Sequence, residues 1–315
     1  MSEPDSAETE RIRKSLAVVV LLAFSAASLA TAFCSRKPAG ETKAAGPLVT
    51  SIPPTPPPYV PVNAKLDSSG RLWVLDSTNS RLTYAADGES NREGWGGVGE
   101  GNTEFRNPEG LAVSGEDIYV ADTWNHRVSR FTRSGEWKGA ATGFMGPRSV
   151  AVGKDGSVWV ADTGNHRVVK YDAALQNETV VGKPGSEPGE FQGPVGIAVG
   201  PDGTVYVADT GNRRIQALDP NGKFLRQWNV PWFEKTWMVQ LEVGPDESVY
   251  VANPDASEVV SYSKTGTPGR SWKTDDAGLA LVRPVGLGID REKKILYVSD
   301  SGANRISKIQ LSTSP

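Results

Sequence analysis

The sequence predicts an all-β fold: a six-bladed β-propeller with four-stranded blades, preceded by an N-terminal hydrophobic helix and a Pro-rich linker. Three observations predict it. An aromatic residue followed by two mostly apolar residues and an acid recurs five times along the chain, and a sixth copy keeps the aromatic but loses the acid. Four short β-prone runs surround each recurrence. The composition is rich in turn formers, with 34 Gly and 22 Pro against three Met in 315 residues, which disfavours a helical bundle.

Taken in order, residues 1–14 form a polar tail ending in Arg11, Arg13 and Lys14, and residues 15–34 read as a signal anchor or signal-peptide helix. Leu16 to Cys34 is a run of 19 uncharged residues closed by Arg36 and Lys37. As a helix rising ~1.5 Å per residue it spans about 28 Å, close to the thickness of a bilayer's hydrocarbon core. Three readings stay open. An uncleaved anchor fits the length and flanking charges, and Ala30-Thr31-Ala32 fits signal cleavage. A lipoprotein needs a small residue before its cysteine, where this chain has Phe33. The basic residues ahead of the run favour a cytoplasmic N-terminus. The expected location is therefore membrane-anchored through residues 16–34 with the propeller extracytoplasmic, or secreted or periplasmic after cleavage near Ala32.

Residues 35–62 form a stiff linker centred on Ile52-Pro-Pro-Thr-Pro-Pro-Pro58, with a short β-prone island at Leu48–Ile52. Residues 60–312 then carry the repeats. The aromatic-to-acid unit runs Trp73 to Asp76, Tyr119 to Asp122, Trp159 to Asp162, Tyr206 to Asp209 and Tyr297 to Asp300, and Tyr250 to Asn253 keeps the aromatic but loses the acid. Successive acidic positions lie 46, 40, 47, 44 and 47 residues apart. An arginine follows five residues later as Arg81, Arg127, Arg167, Arg214 and Arg305, with Glu258 in the degenerate copy. A proline recurs upstream at Pro61, Pro108, Pro147, Pro194 and Pro284, with Gly two residues later in three cases.

Within a repeat the strand signals are the apolar run after the proline, the aromatic run, the stretch after the arginine, and a fourth such as Phe224-Leu-Arg-Gln-Trp228. The aromatic run is apolar on both pleat faces, so it needs neighbours on both sides. Four strands in about 45 residues, six times over, is propeller arithmetic. Asp155-Gly156, Asp202-Gly203 and Ser69-Gly70 mark the hairpin between first and second strands, and Asn221-Gly222, Ser134-Gly135 and Thr265-Gly266 the hairpin between third and fourth. Both sets fall at one end of a blade. The longer Asp-Thr-Gly-Asn and Pro-x-Gly loops share the opposite, upper face, the side free to vary and bind. The last repeat stops after its third strand, so Leu48–Ile52 is expected to supply the missing outer strand and close the ring.

Pro194-Val-Gly-Ile-Ala-Val-Gly-Pro-Asp-Gly-Thr-Val-Tyr-Val-Ala-Asp-Thr-Gly-Asn-Arg-Arg-Ile215 resembles an NHL repeat, as does Pro147 to Val168, and the resemblance extends over about residues 60–312. It implies a six-bladed propeller but no single activity. NHL-like propellers serve as ubiquitin-ligase partner modules, RNA binders, sensor ectodomains and a peptide-amidating lyase, so function has to be argued from the site.

The recurring Asp and Arg are expected to be structural, the Asp closing its own Asp-x-x-Asn loop and the Arg pairing locally. Gly94-Trp-Gly-Gly-Val-Gly99 matches G-x-G-x-x-G, but a dinucleotide site needs a preceding strand, a following helix and an acid about 20 residues on. Here more Gly and then Phe105-x-x-Pro108 follow, as in a blade-entry loop. His126 and His166 occupy one position in adjacent repeats, and the resemblance to the amidating lyase implies zinc on such loops. That pattern takes three His with a central Tyr and Arg, whereas this chain has two His and Arg213 at the next equivalent position. The only cysteine, Cys34, precedes the repeats, and no Ser-His-Asp set is legible. A lactonase-type calcium site needs several carboxylates in the channel, where Glu242 is the acid the sequence offers. No cofactor and no metal site are therefore expected. Residues 46–315 hold 28 basic and 32 acidic side chains, which disfavours nucleic acid.

Symmetry breaks where Trp232-Phe-Glu-Lys-Thr-Trp237 replaces Phe-x-x-Pro and where Trp124 enters the second repeat. Departures from a repeat on its variable face mark contact residues better than the repeat does. Trp124, His126, Arg148, His166, Arg213, Trp232 and Trp237 are the expected binding residues, for a protein, peptide or glycan partner on the upper face. The competing expectation is a metal-dependent propeller enzyme of the amidating-lyase or lactonase kind.

Overall fold

Six strands that are apolar on both faces are satisfied together when their sheets stack face to face around a ring, and the chain folds this way. The computed structural model describes residues 50–51, 59–87, 93–236 and 238–311. Blade 1 contains β2 (Pro61–Leu66), β3 (Arg71–Asp76), β4 (Arg81–Ala86) and β5 (Glu93–Gly96), with β1 (Thr50–Ser51) added outside β5. Blade 2 contains β6 (Gly110–Ser114), β7 (Asp117–Asp122), β8 (Arg127–Thr132) and β9 (Trp137–Ala141). Blade 3 contains β10 (Ser149–Val152), β11 (Val158–Asp162), β12 (Arg167–Tyr171) and β13 (Thr179–Val181). Blade 4 contains β14 (Pro194–Val199), β15 (Val205–Asp209), β16 (Arg214–Leu218) and β17 (Phe224–Asn229). Blade 5 contains β18 (Leu241–Val243), β19 (Val249–Asn253), β20 (Glu258–Tyr262) and β21 (Pro268–Trp272), and blade 6 contains β22 (Pro284–Asp290), β23 (Ile295–Asp300) and β24 (Arg305–Gln310). The first strands of the blades pack in succession around the axis, and β22 packs against β2.

The repeated aromatic is the core of each blade. Trp73, Tyr119, Trp159, Tyr206, Tyr250 and Tyr297 are all buried, each contributing about 2–3 kcal/mol by area alone. Several also satisfy their polar atom, Tyr119 Oη donating to the Ala173 carbonyl at 2.7 Å and Trp73 Nε1 to Asp67 at 3.0 Å.

The Asp and Arg series is structural, as expected. Asp209 Oδ2 accepts from Asn212 at 2.9 Å and from Arg214 Nε at 2.8 Å, while Oδ1 accepts from the backbone of Gln192 at 2.7 Å. Asp122 and Asp162 repeat the pattern with Arg106 and Met145 as backbone donors. Each Asp thus fastens its own loop to the loop that leads into its blade.

The sequence expectation for Leu48–Ile52 is corrected. Thr50 and Ser51 lie opposite Gly94 and Glu93 on the outer edge of blade 1, and blade 6 has three strands among the described residues. The segment before β22 turns back across the open edge of β24 instead. Asp276 N donates to the Lys308 carbonyl at 2.9 Å and the Asp276 carboxylate accepts from Gln310 N at 2.8 Å, which relieves the edge of its unpaired groups. Asp87 of blade 1 completes the closure by accepting from Tyr297 Oη at 3.0 Å and Lys308 Nζ at 2.8 Å.

The expected hydrophobic helix over residues 15–34 and most of the linker lie outside the described residues. Among the described residues no helix is long and apolar enough to cross a membrane.

Candidate functional site

The loops between second and third strands lie at the end of the blades opposite the short hairpins. Each puts one residue in the left-handed region, namely Ser80, His126, His166, Arg213, Ser257 and Asn304, with φ from 48° to 55°. In blades 2 and 3 that residue is histidine, and its ring has a local task. His126 Nδ1 accepts from Gly146 N at 3.0 Å, and His166 Nδ1 accepts from Gly193 N at 2.8 Å. Each ring thus clamps the next inter-blade loop through its Nδ1. We expect His166→Ala to cost about 1 kcal/mol, or a fall of about 2–4 °C on thermal unfolding. A rise in melting temperature would count against the clamp.

The central channel was the least legible part of the sequence. Strand register aligns the residue after the recurring proline, and its equivalent in blade 5, as Val62, Glu109, Arg148, Val195, Val239 and Val285. Four valines are thus joined by one adjacent ion pair, Arg148 Nη1 to Glu109 Oε2 at 2.9 Å. Burial pushes the Glu109 carboxyl above the usual range even though the Arg148 charge and hydrogen bonds from Asn107 and Arg148 pull it down. The next position alternates polar and glycine around the ring, as Asn63, Gly110, Ser149, Gly196, Gln240 and Gly286. Gln240 reaches from blade 5 to blade 3, accepting from Ser149 Oγ at 2.7 Å and donating to the Arg148 carbonyl at 3.2 Å. Asn63 donates to the Glu109 carbonyl at 3.3 Å, and its buried Oδ1 has no partner.

Two residues further down, Lys65 of blade 1 crosses to Glu242 of blade 5 at 2.6 Å and also donates to the Leu287 carbonyl at 2.8 Å. Arg291 meets the other Glu242 oxygen at 3.2 Å. Burial alone would raise this carboxyl, but the Lys65 and Arg291 charges outweigh it and hold Glu242 below the usual range. Two polar bridges at two depths therefore plug the channel. Glu242 is committed to a salt bridge, and Glu109 is a second channel acid that the sequence reading missed. Among the described residues no three His, Cys, Asp or Glu side chains come together.

The expected contact residues spread over blades 2 to 5 and do not gather at one point. Trp124 stands where blades 3, 4 and 6 have Gly164, Gly211 and Gly302, and it is 60% exposed. It belongs to the same loop as His126, and exposed Met145 lies next to the Gly146 that His126 holds. Arg213 is exposed beside its loop, its carbonyl accepting from Val230 N at 2.7 Å. Arg148 sits apart, in the channel mouth. Trp232 is half-buried in a 3-10 turn and meets buried Phe233 edge-on at 4.7 Å, while Trp237 lies outside the described residues. The missed residues Lys65 and Glu109 had one available signal, a charged side chain where most other repeats place Ala, Gly or Val, while Gln240 shares its position with polar Asn63 and Ser149 and had none.

The NHL repeat model matches residues 105–131, 144–171 and 191–218, which cover the inter-blade loop through the third strand of blades 2, 3 and 4. No curated protein matches the sequence. Among solved structures, a catalytically inactive virginiamycin B lyase from Staphylococcus aureus with quinupristin is 14% identical, with TM-score 0.61 over 84% of this chain and 85% of that one. A gluconolactonase from Xanthomonas campestris is 14% identical, with TM-score 0.62 over 81% and 86%. The calcium-binding protein regucalcin from Agrobacterium tumefaciens is 13% identical, with TM-score 0.56 over 76% and 81%. Likeness at these identities is likeness of fold.

Proposed function

The chain is an NHL-repeat β-propeller, and we propose that it works as a binding or scaffold module whose upper face takes a protein, peptide or glycan partner. The observation that carries this reading is Trp124, a large side chain 60% exposed at a loop position where three other blades have glycine. Exposed tryptophan is costly to leave in water and is enriched among the residues that dominate interfaces. The recurring Asp and Arg side chains and both histidine rings, by contrast, are engaged within the ring. In this reading residues 16–34 anchor the chain in a membrane, or are removed by cleavage near Ala32, with the propeller outside the cytoplasm.

A photo-crosslinking amino acid in place of Trp124 is expected to trap a discrete partner in cells, while the same residue in place of Val180, on the outer strand of blade 3, traps none. Trp124→Ala should leave thermal stability within about 0.5 kcal/mol of the parent. Equal labelling from both sites, or none from either, would sink the upper-face reading.

The second reading is a metal-dependent propeller enzyme of the amidating-lyase or lactonase kind. One observation favours it: Glu109 is a buried acid with a perturbed pKa beside an arginine at the channel mouth, the environment in which acid–base groups are tuned. Stoichiometric metal in the purified chain, with destabilisation on chelation, would transfer the proposal to this class.

A further inference from the structure

The hairpin end of the channel, on the face opposite Trp124, holds a small cavity that neither reading uses. Its volume is about 100 Å³, and it opens toward a shallower recess of about 200 Å³ edged by Lys154, Pro201 and Pro245. Apolar residues from five blades border it, among them Val150, Val152, Ile197, Val199 and Ile289. The surface it exposes is mostly polar, with Lys65, Glu242 and Arg291 among its polar groups, and the mostly apolar surface is that of the recess.

The donors and acceptors there do not balance. Glu242 has three of its roughly four acceptor positions taken, Oε2 by Lys65 and Oε1 by Arg291 and the Val243 backbone N–H. Lys65 spends two of its three N–H donors, on Glu242 and the Leu287 carbonyl. Arg291 bonds through Nη2 alone, to Glu242 and the Val243 carbonyl. Two cations thus face one carboxylate with about one acceptor position left, fewer than the donors Lys65 and Arg291 still hold, and a third cation, Lys154, stands at the rim. A walled recess with surplus cationic donors attracts an anion, and the fold holds these donors in place before any ligand arrives.

The walls narrow the choice. A fully hydrated oxyanion such as phosphate presents hydrogen-bonding oxygens on every side, and the mostly apolar recess beyond the cavity cannot answer those turned toward it. A carboxylate with a short aliphatic tail can turn its head to Lys65 and Arg291 in the polar cavity and lay its tail in the recess beside Val152, Val199, Pro201 and Pro245. An apolar cavity of about 150 Å³ takes a six-carbon ring, so about 100 Å³ admits roughly four heavy atoms, and the recess admits a little more. We propose that the hairpin end of the channel is a binding site for a short-chain monocarboxylate of about two to four carbons, held by Lys65 and Arg291. The site lies at the other end of the channel from Trp124, so its failure leaves the upper-face reading untouched.

Titration calorimetry on the full chain in detergent tests it, with sodium propionate as the probe and phosphate and chloride at matched ionic strength as comparisons. Propionate is expected to bind saturably with one site per chain. The affinity should fall about tenfold or more in Arg291→Gln and disappear in Val199→Phe, which fills the cavity. Lys273→Gln, a surface change on blade 5, should bind like the parent. Circular dichroism checks that each variant folds, and the parent titration decides even where a variant does not. Absence of saturable propionate binding, preference for phosphate, or unchanged affinity in a folded Arg291→Gln overturns the proposal.

Discussion

Gly286→Val is expected to abolish a stable closed ring. Gly286 lies in β22, the innermost strand of blade 6, against β2 of blade 1. A Cβ there would sit 2.2 Å from the Val62 carbonyl oxygen and 2.7 Å from the Asn63 Cα. Both atoms are backbone, and β2 is held in register by β3, so no side chain can swing aside to make room. The glycine is required by proximity and not by its backbone angle. Relief requires β22 and β2 to separate, and that contact joins the last blade to the first. We expect a loss of about 4 kcal/mol or more, a large fraction of a net stability of about 5–15 kcal/mol. The melting temperature should fall by about 10 °C or more, or the protein should fail to accumulate in soluble form. Gly97→Ala, at a site where an added Cβ meets nothing within 4 Å, is the matched control and should behave like the parent. A Gly286→Val protein melting within a degree or two of the parent would show that the inner strands are not packed this closely.

Lys65→Met carries the second large effect. It removes the 2.6 Å partner of a buried carboxylate and leaves Arg291, bonded at 3.2 Å, as the remaining countercharge. Breaking one side of a buried pair costs about 3–5 kcal/mol, because the surviving charge stays desolvated. The value here should fall near the lower end, since Arg291 stays. Lys65→Met/Glu242→Met should recover most of the loss, as replacing both members of such a pair with apolar groups is often neutral. The pH dependence follows from the direction of the Glu242 shift. Its folded pKa is lowered, so the pair's contribution is present above the unfolded value of about 4.3 and is lost as pH falls through the folded pKa. In Lys65→Met, burial dominates and protonation relieves the uncompensated charge. The stability gap between parent and variant should therefore be widest near neutral pH and narrow toward pH ~4. Denaturant unfolding across that range measures it, and a constant gap would mean that Glu242 is not the group left exposed to the penalty.

Much of the fold was legible because it is written in local, repeated units. The aromatic strand, apolar on both faces, announces a sheet with neighbours on each side, and the Asp, Asn and Arg that close each loop lie within six residues of one another. The two histidines were legible as a pair on the upper face, but their ring bonds to Gly146 and Gly193 were not, because those lie 20 and 27 residues away. The outer closing strand was misplaced for a related reason. Leu48–Ile52 carries β propensity but nothing that names its edge, and the open edge of β24 was already met by Asp276.

By itself the sequence determined the repeat number, the strand order within a blade, the two ends of the molecule and the structural role of the Asp–Arg series. Each of these rests on interactions between residues close in the chain, where composition and spacing carry the physics. Only the tertiary structure decided the channel. Lys65 and Glu242 are 177 residues apart, and Ser149 and Gln240 are 91 apart, so no local pattern pairs them. They meet because six blades closing into a ring bring the first strands of distant repeats within hydrogen-bond distance around one axis. There a polar side chain must find a partner across the channel or bear the cost of burial without one.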